Sequence, residues 1–303
     1  MNFTALQGSV ELGIIYGFMA LGVFVSFRIL NLPDLTVDGS FTLGASCSAV
    51  MTLAGHPFLG LLAGVVSGAL AGLVTAFLQT KLKIQPILSG ILTMTGLYSI
   101  NLRVMQNRGN LSLLNIPTIF TPFGKSDFAA RFAKLLFPLA LIAFVIVLMT
   151  LFFKTQLGMS IRATGDNEDM VRSSSINSDF TKAVGLAIGN AIVGLSGALI
   201  VQYQQFCDIS MGIGMVVIAM ASLIIGEVIF GTSNMPRHIT AVVIGSVIYR
   251  IIIALVLRVN ISPSDLKLIS SVIVAAALSY PVLKEHMAAK KLRKGLSGNA
   301  KIN

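Results

Sequence analysis

The sequence predicts an all-α, polytopic helical membrane protein of about nine spans (eight to ten), with an interrupted early span and one short polar helix between later spans. Three observations carry that prediction. Hydrophobic residues make up 55% of the 303-residue chain and charged residues only 11%, and the mean hydropathy is +0.86. A water-soluble globule has too little interior to hide so much apolar surface. The apolar residues also gather into blocks of the ~20 residues needed to cross ~30 Å of hydrocarbon. Finally, a single long charged stretch, GMSIRATGDNEDMVRSSSINSDFTK at 158–182, separates two such blocks. The alternating ~10-residue segments of a transmembrane barrel do not occur in the sequence.

The blocks fall at 9–27, 35–54, 57–80, 85–101, 135–153, 183–203, 212–230, 239–257 and 266–283. No basic residue precedes the first, and the first cation is Arg28, after it. That order predicts a permanent span rather than a cleaved signal, with the N-terminus outside, because Lys and Arg stay on the cytoplasmic side. Nine crossings then bring the C-terminus inside, where Lys284, Lys290, Lys291, Arg293, Lys294 and Lys301 cluster. In this arrangement fourteen basic residues lie inside, seven outside, and Arg250 within a span. Five of the outside residues share the loop 102–134; a partial span or a surface helix there leaves eight or ten crossings open. The chain divides into a transmembrane domain, 1–285, containing the polar loop 154–182, and a basic cytoplasmic tail, 286–303. The net charge of +10 is assigned to these flanks and to anionic membrane lipid, with no call for nucleic acid.

Along the chain, RILNLPDLTVDGSFTLGAS (28–46) stands out first. Pro33 and Gly39 bracket Asn31, Asp34, Thr36 and Asp38 at the mouth of an apolar block. Exposed backbone at membrane depth is tolerated where it lines a cavity or is covered by protein, and interrupted helices build solute sites in transporters. An ordinary polar loop at the interface is the alternative. In the third block Gly60, Gly64, Gly68 and Gly72 repeat every four residues, a smooth ridge for close helix approach within the chain or between two subunits. Gly13 with Gly17, and Gly185 with Gly189, repeat the device. Asn190, Glu227 and Arg250 are polar residues within spans and are expected to face protein or water. Glu227, near a span end, is expected simply to reach the interface. Arg250 is expected to bond backbone carbonyls or an acidic partner, with ligand binding the alternative. Asp34, Asp38 and Asn190 are the candidates for a translocation path.

The 158–182 stretch reads as one helix, with Asp166 and Asn167 able to cap its start. Glu168 and Asp169 suit its positive end, and Arg172 suits its middle or end. A polar insert of this size is a docking surface in water, unless it is only a solvated hairpin. Cys47 and Cys207 fall in or beside spans, and no spacing supports a disulfide or a metal site. Catalytic patterns are missing as well. The histidines, His56, His238 and His286, are far apart, and no nucleophile-elbow motif occurs. Gly124-Lys125-Ser126 lacks the glycine that a phosphate-binding loop requires at 119, where Ile119 stands. No enzyme activity, metal or cofactor is expected in this chain.

These residues resemble a known family. TQLGMSIRATGDNEDMVRSSSINSDFTKAVGLAIGNAIVGLSGAL (155–198) is similar to the permease subunits of bacterial ABC importers of the branched-chain amino acid and ribose type. Gly158, Arg162, Ala163, Gly165 and Asn167 match that family's run, and Ile176-Asn177 its turn. DLTVDGSFTLGA (34–45) resembles the opening of an early span in sugar-type members. QYQQFCDISMGIGM and the span ending IIGEVIFG resemble the later half. The family often has a small pair where Val171-Arg172 stand, Gly where Ser175 stands, and Gly-Gly where Gly226-Glu227 stand. These departures suit a divergent branch, similar to uncharacterised or aromatic amino acid permeases beside the branched-chain group.

The resemblance implies a bacterial cytoplasmic (inner) membrane protein working with cytoplasmic ABC ATPase subunits, which bind the ATP. It also implies an extracytoplasmic solute-binding protein and a second permease subunit, forming a homodimer. The polar helix would then be the coupling helix, contacting the ATPase through Arg162, Gly165, Asp166, Asn167, Glu168 and Asp169. The solute implied is an amino acid or a similar small molecule. An ion-coupled secondary transporter, a membrane enzyme and an ATP-driven exporter are the rival readings.

Overall fold

The computed structural model describes residues 3–121 and 127–257, with isolated positions between 268 and 279. All eight apolar blocks expected within these residues are helical. The ninth block, 266–283, and the tail, 286–303, lie outside the described residues except for those isolated positions.

The first helix, α1 (Phe3–Val23), continues into a wider π-helical turn, Phe24–Ile29, where the Leu30 amide reaches back to the Val25 carbonyl. The chain then breaks. Asn31 adopts a left-handed backbone (φ 53°), and Pro33 follows before α2 (Thr36–Leu53) begins. Pro57 and Pro86 occupy the first turns of α3 (Pro57–Thr80) and α4 (Pro86–Val104), where a missing N–H costs nothing. The helix α5 (Asp127–Phe152) contains Pro138. The polar insert forms two helices, α6 (Gln156–Asp166) and α7 (Glu168–Ser173), rather than the single one expected. Three more complete the set: α8 (Ser178–Gln204), α9 (Met215–Phe230) and α10 (Met235–Leu257).

Among the described residues, α1, α3, α4, α5, α8 and α10 are long and apolar enough to cross a membrane. The other two are built differently. The α9 helix is shorter, and α2 is richer in Ser, Thr and Gly and almost wholly buried among its neighbours. Several α2 hydroxyls bond carbonyls one turn back, Ser46 to Thr42 and Thr52 to Ser48, both at 2.7 Å. A helix of this composition suits a protein environment better than lipid.

The glycine ridge of α3 faces α8. A Cβ built on Gly68 would stand 2.2 Å from the Asn190 carbonyl oxygen, and one on Gly72 would stand 2.4 Å from that of Leu186. One on Gly64 would meet the Ala198 methyl at 2.7 Å. Gly44 of α2 closes on the Gly194 carbonyl at 2.2 Å, so α2, α3 and α8 meet backbone to backbone around Gly44, Gly64 and Gly194. The opposite face of α3, with Phe58, Leu62, Val66, Leu70 and Phe77, is exposed.

At the end remote from α6 and α7, the loop 102–134 holds no additional crossing among the described residues. A two-stranded antiparallel pair, β1 (Asn110–Ser112) with β2 (Phe206–Asp208), places Leu111 opposite Cys207. The Gln202 side chain accepts from the Ile119 amide at 3.1 Å and donates to the Pro57 carbonyl at 2.8 Å. These bonds fasten the loop to α8 and α3. Cys47 and Cys207 are free thiols.

Candidate functional site

Three polar groupings lie along the bundle axis, and the first is the α6–α7 end. Thr155 caps α6 by accepting the Gly158 amide at 3.2 Å, and Asn167 caps α7 by accepting that of Met170 at 3.0 Å. Asn167 thus caps a helix start as expected, whereas Asp166 is the last residue of α6. One face of α6 is clamped to the bundle. A Cβ on Gly165 would lie 1.9 Å from the Ile29 carbonyl oxygen, Ile161 is fully buried, and the Thr164 and Thr181 hydroxyls are 2.7 Å apart. The other face presents Leu157, Met159, Arg162 and Asp166 to solvent, continued by Asp169 and Met170 on α7.

Glu168 turns inward instead. Its carboxylate accepts from Lys182 Nζ at 2.5 Å, Arg172 Nη2 at 2.7 Å and Ser178 Oγ at 3.2 Å. Burial alone would raise its pKa. The hydrogen bond and charge of Lys182, with Arg172 and Ser178, outweigh that and hold it below the ordinary value of 4.5. Of the six residues singled out on this segment, Arg162, Asp166, Asn167 and Asp169 are exposed, while Gly165 and Glu168 hold the helices to the bundle.

Beside α6 lies a second grouping that sequence reasoning missed. Glu227 does not reach out to an interface; its side chain is only 8% exposed. It accepts Arg28 Nε at 2.6 Å, pairs also with Arg28 Nη2, and meets His238 Nε2 at 2.7 Å. The three residues tie the end of α1 to α9 and α10. A cleft of about 280 Å³, lined by Arg28, Arg162, Asp166, Ser233 and His238, separates this triad from α6.

The third grouping lies near mid-depth. Asn190 is twelve residues into the 27-residue α8, so Asp34, bonded to it, sits near the middle of that helix. Asp34 is fully buried, accepting Asn190 Nδ2 at 2.7 Å and the Thr36 amide at 2.9 Å. Asn190 in turn accepts Ser40 Oγ at 2.6 Å. The Thr36, Thr75 and Thr93 hydroxyls continue the network into α3 and α4, at 2.7 and 3.0 Å.

Asp38 stands apart from that pair. Its carboxylate accepts the Gly214 and Val216 amides, each at 2.8 Å, and so caps α9 from another helix. Gly212 packs against the Asp38 backbone, so α9 begins beside the first turn of α2. Arg250 has neither of its expected partners among the described residues. Its guanidinium carbon lies 3.7 Å from the centre of the Tyr16 ring.

Over residues 6–278 the sequence matches the family described as "Branched-chain amino acid transport system / permease component". The chain belongs to that family. This permease is 38% identical over 267 residues to a tyrosine transport system permease protein of Clostridioides difficile, with 88% of each chain covered. It is 25% identical to the nucleoside ABC transporter permease protein NupC of Lactococcus lactis, covering 74% of this chain and 69% of that one. Among solved structures, PsaBC from Streptococcus pneumoniae in complex with Fab shares the fold. The TM-score is 0.54 at 13% identity, with 91% of both chains covered. With its apolar helices, the permease is a multi-pass protein of the inner membrane.

Sequence patterns located the exposed face of α6 and the Asp34–Asn190 neighbourhood. They missed the triad, because Arg28 and Glu227 are 199 residues apart. The one available signal was Glu227 itself, a carboxylate in an apolar block.

Proposed function

We propose that this permease is a membrane subunit of an ATP-driven importer, carrying an amino acid with an aromatic side chain that a separate binding protein delivers. The observation that carries the reading is the two-faced α6. One face is locked to α1 and α8 through Gly165, Ile161 and Thr164, and the other offers Leu157, Met159, Arg162 and Asp166. Such a helix fits a groove on a soluble partner, the helix-in-groove mode. Cytoplasmic ATPase subunits that bind ATP are that partner.

Closure of an ATPase dimer would push α6, and with it the end of α1 and the start of α8. Around those elements a pair of permease subunits, two copies of this chain, alternates access. Asp34, Asn190 and Asp38 keep the broken ends of α1, α2 and α9 in place beside the path. The substrate class follows the similarity to the tyrosine permease; the nucleoside relative is more distant.

The test is co-purification of the tagged permease with its ATPase from native membranes, comparing wild type with Met159→Asp/Asp166→Lys. These two side chains are exposed, so the variant keeps the bundle intact. Loss of the ATPase from the variant alone supports the reading. Absence of any ATPase with wild type, together with solute uptake that needs none, would instead support an ion-coupled transporter.

A further inference from the structure

Arg250 is a cation within an apolar helix, and its surroundings are unusual for a structural arginine. It lies twelve residues beyond His238 on α10, about 18 Å further from α6 at 1.5 Å per residue. Ser246, one turn before it, donates to the Gly13 carbonyl at 2.7 Å, so this face of α10 looks toward α1. The large apolar residues exposed on α10, Ile244 and Leu255, lie on other faces. Arg250 therefore reaches into the protein and does not extend along lipid.

There it lies over Tyr16, whose ring is stacked with Phe41 at 6.2 Å and 13° between planes. No carboxylate among the described residues is within ion-pair distance, no described residue accepts a hydrogen bond from the guanidinium, and its buried Nε has no partner among them. Stacking occupies only the flat face of a guanidinium. The N–H donors lie in its plane, so the fork remains directed edgewise, in the arrangement that matches a carboxylate with two parallel hydrogen bonds. Intramembrane ionisable residues without a protein partner belong to water-filled cavities and solute paths.

We propose that Arg250 recognises the carboxylate of the amino-acid solute as it passes through the outer half of the membrane. Tyr16 is the positioning residue that holds the guanidinium flat. The proposal rests on the reading of the chain as an amino-acid importer subunit and adds the group that the path itself recognises. Arg250→Gln removes the charge and the fork, and Arg250→Lys keeps the charge without the fork.

The experiment uses the full permease with its ATPase and binding protein in proteoliposomes, measuring ATP-driven uptake of L-tyrosine. With Arg250→Gln uptake falls at least about tenfold, and with Arg250→Lys by less, while ATPase co-purification is unchanged. Uptake by Arg250→Gln within about twofold of wild type overturns the proposal.

A second measurement needs no variant. Saturation transfer from wild-type permease in nanodiscs is compared for L-tyrosine and for tyramine, which lacks the carboxylate. Transfer to L-tyrosine alone supports the assignment, and equal transfer to both overturns it. Failure of the importer reading looks different: wild type shows no ATP-dependent uptake even with both partners present.

Discussion

Gly165→Ala is a one-carbon change at the point where α6 meets the rest of the permease. The added Cβ would stand 1.9 Å from the Ile29 carbonyl oxygen and 2.9 Å from Leu30 Cα, where real Cβ atoms keep at least 3.0 Å. Because the clash is with backbone, no side chain can swing away. The α6 helix must withdraw by about 1.1 Å, the difference between the built contact and that limit. Overpacking of this kind costs about 1–3 kcal/mol. The same retreat stretches the 2.7 Å Thr164–Thr181 hydrogen bond beyond use, adding about 0.5–1.5 kcal/mol.

The expected outcome is a fall in Tm of at least about 4 °C for the purified permease. ATP-driven uptake should drop at least about tenfold, with ATPase binding preserved because the exposed face of α6 is untouched. Gly96→Ala is the control, since a Cβ there meets nothing within 4 Å. A Gly165→Ala permease with wild-type Tm and full uptake would refute the argument that α6 is clamped through this contact.

Other outcomes follow from the same structure. Asp38→Ala strands the half-buried Gly214 and Val216 amides at the start of α9. It should cost about 2–4 kcal/mol in detergent unfolding, with Asp38→Asn roughly half as damaging. Arg28→Ala should destabilise more than the double variant Arg28→Ala/Glu227→Ala, because the single change leaves a buried carboxylate short of a partner. The depressed pKa of Glu168 means its contribution to stability is present above the ordinary value of 4.5 and is lost as pH falls through the lower folded value. Thermal unfolding scanned from pH 7 to 3 should show this acid loss in wild type and less of it in Glu168→Gln. Ser175 has a left-handed backbone (φ 61°), so Ser175→Gly should raise stability by about 0.5–1 kcal/mol, read as a small rise in Tm.

The helical bundle was legible because spans are written locally. Long apolar runs and the polar links between blocks located eight helices, although α1 begins six and α5 eight residues before its block. The errors fall where one helix answers to another. The α8 helix begins at Ser178, five residues before its apolar block, because Asn177 caps it through the Phe180 amide. The break between α6 and α7 was hidden because Asp166 and Asn167 both look like caps in sequence, and only Asn167 acts as one. In the candidate site, the exposed charges of α6 could be read directly. The inward turn of Glu168, the Arg28–Glu227–His238 triad and the seat of Arg250 on Tyr16 could not, since each depends on a partner brought close only by packing.

The composition of α2 also constrains how the protein is made. A translocon sorts each segment by its own partitioning into lipid, and α2 arrives with Asp38, hydroxyls and glycines where α3 brings leucines and valines. The α8 helix, which covers it together with α3, emerges from the ribosome only after residues 54–177 have been synthesised. Until then Gly44 has no Gly194 to meet, Asp34 has no Asn190, and Asp38 has no α9 to cap. The second helix must therefore be held by the insertion machinery or by α3 during translation and settle into place late.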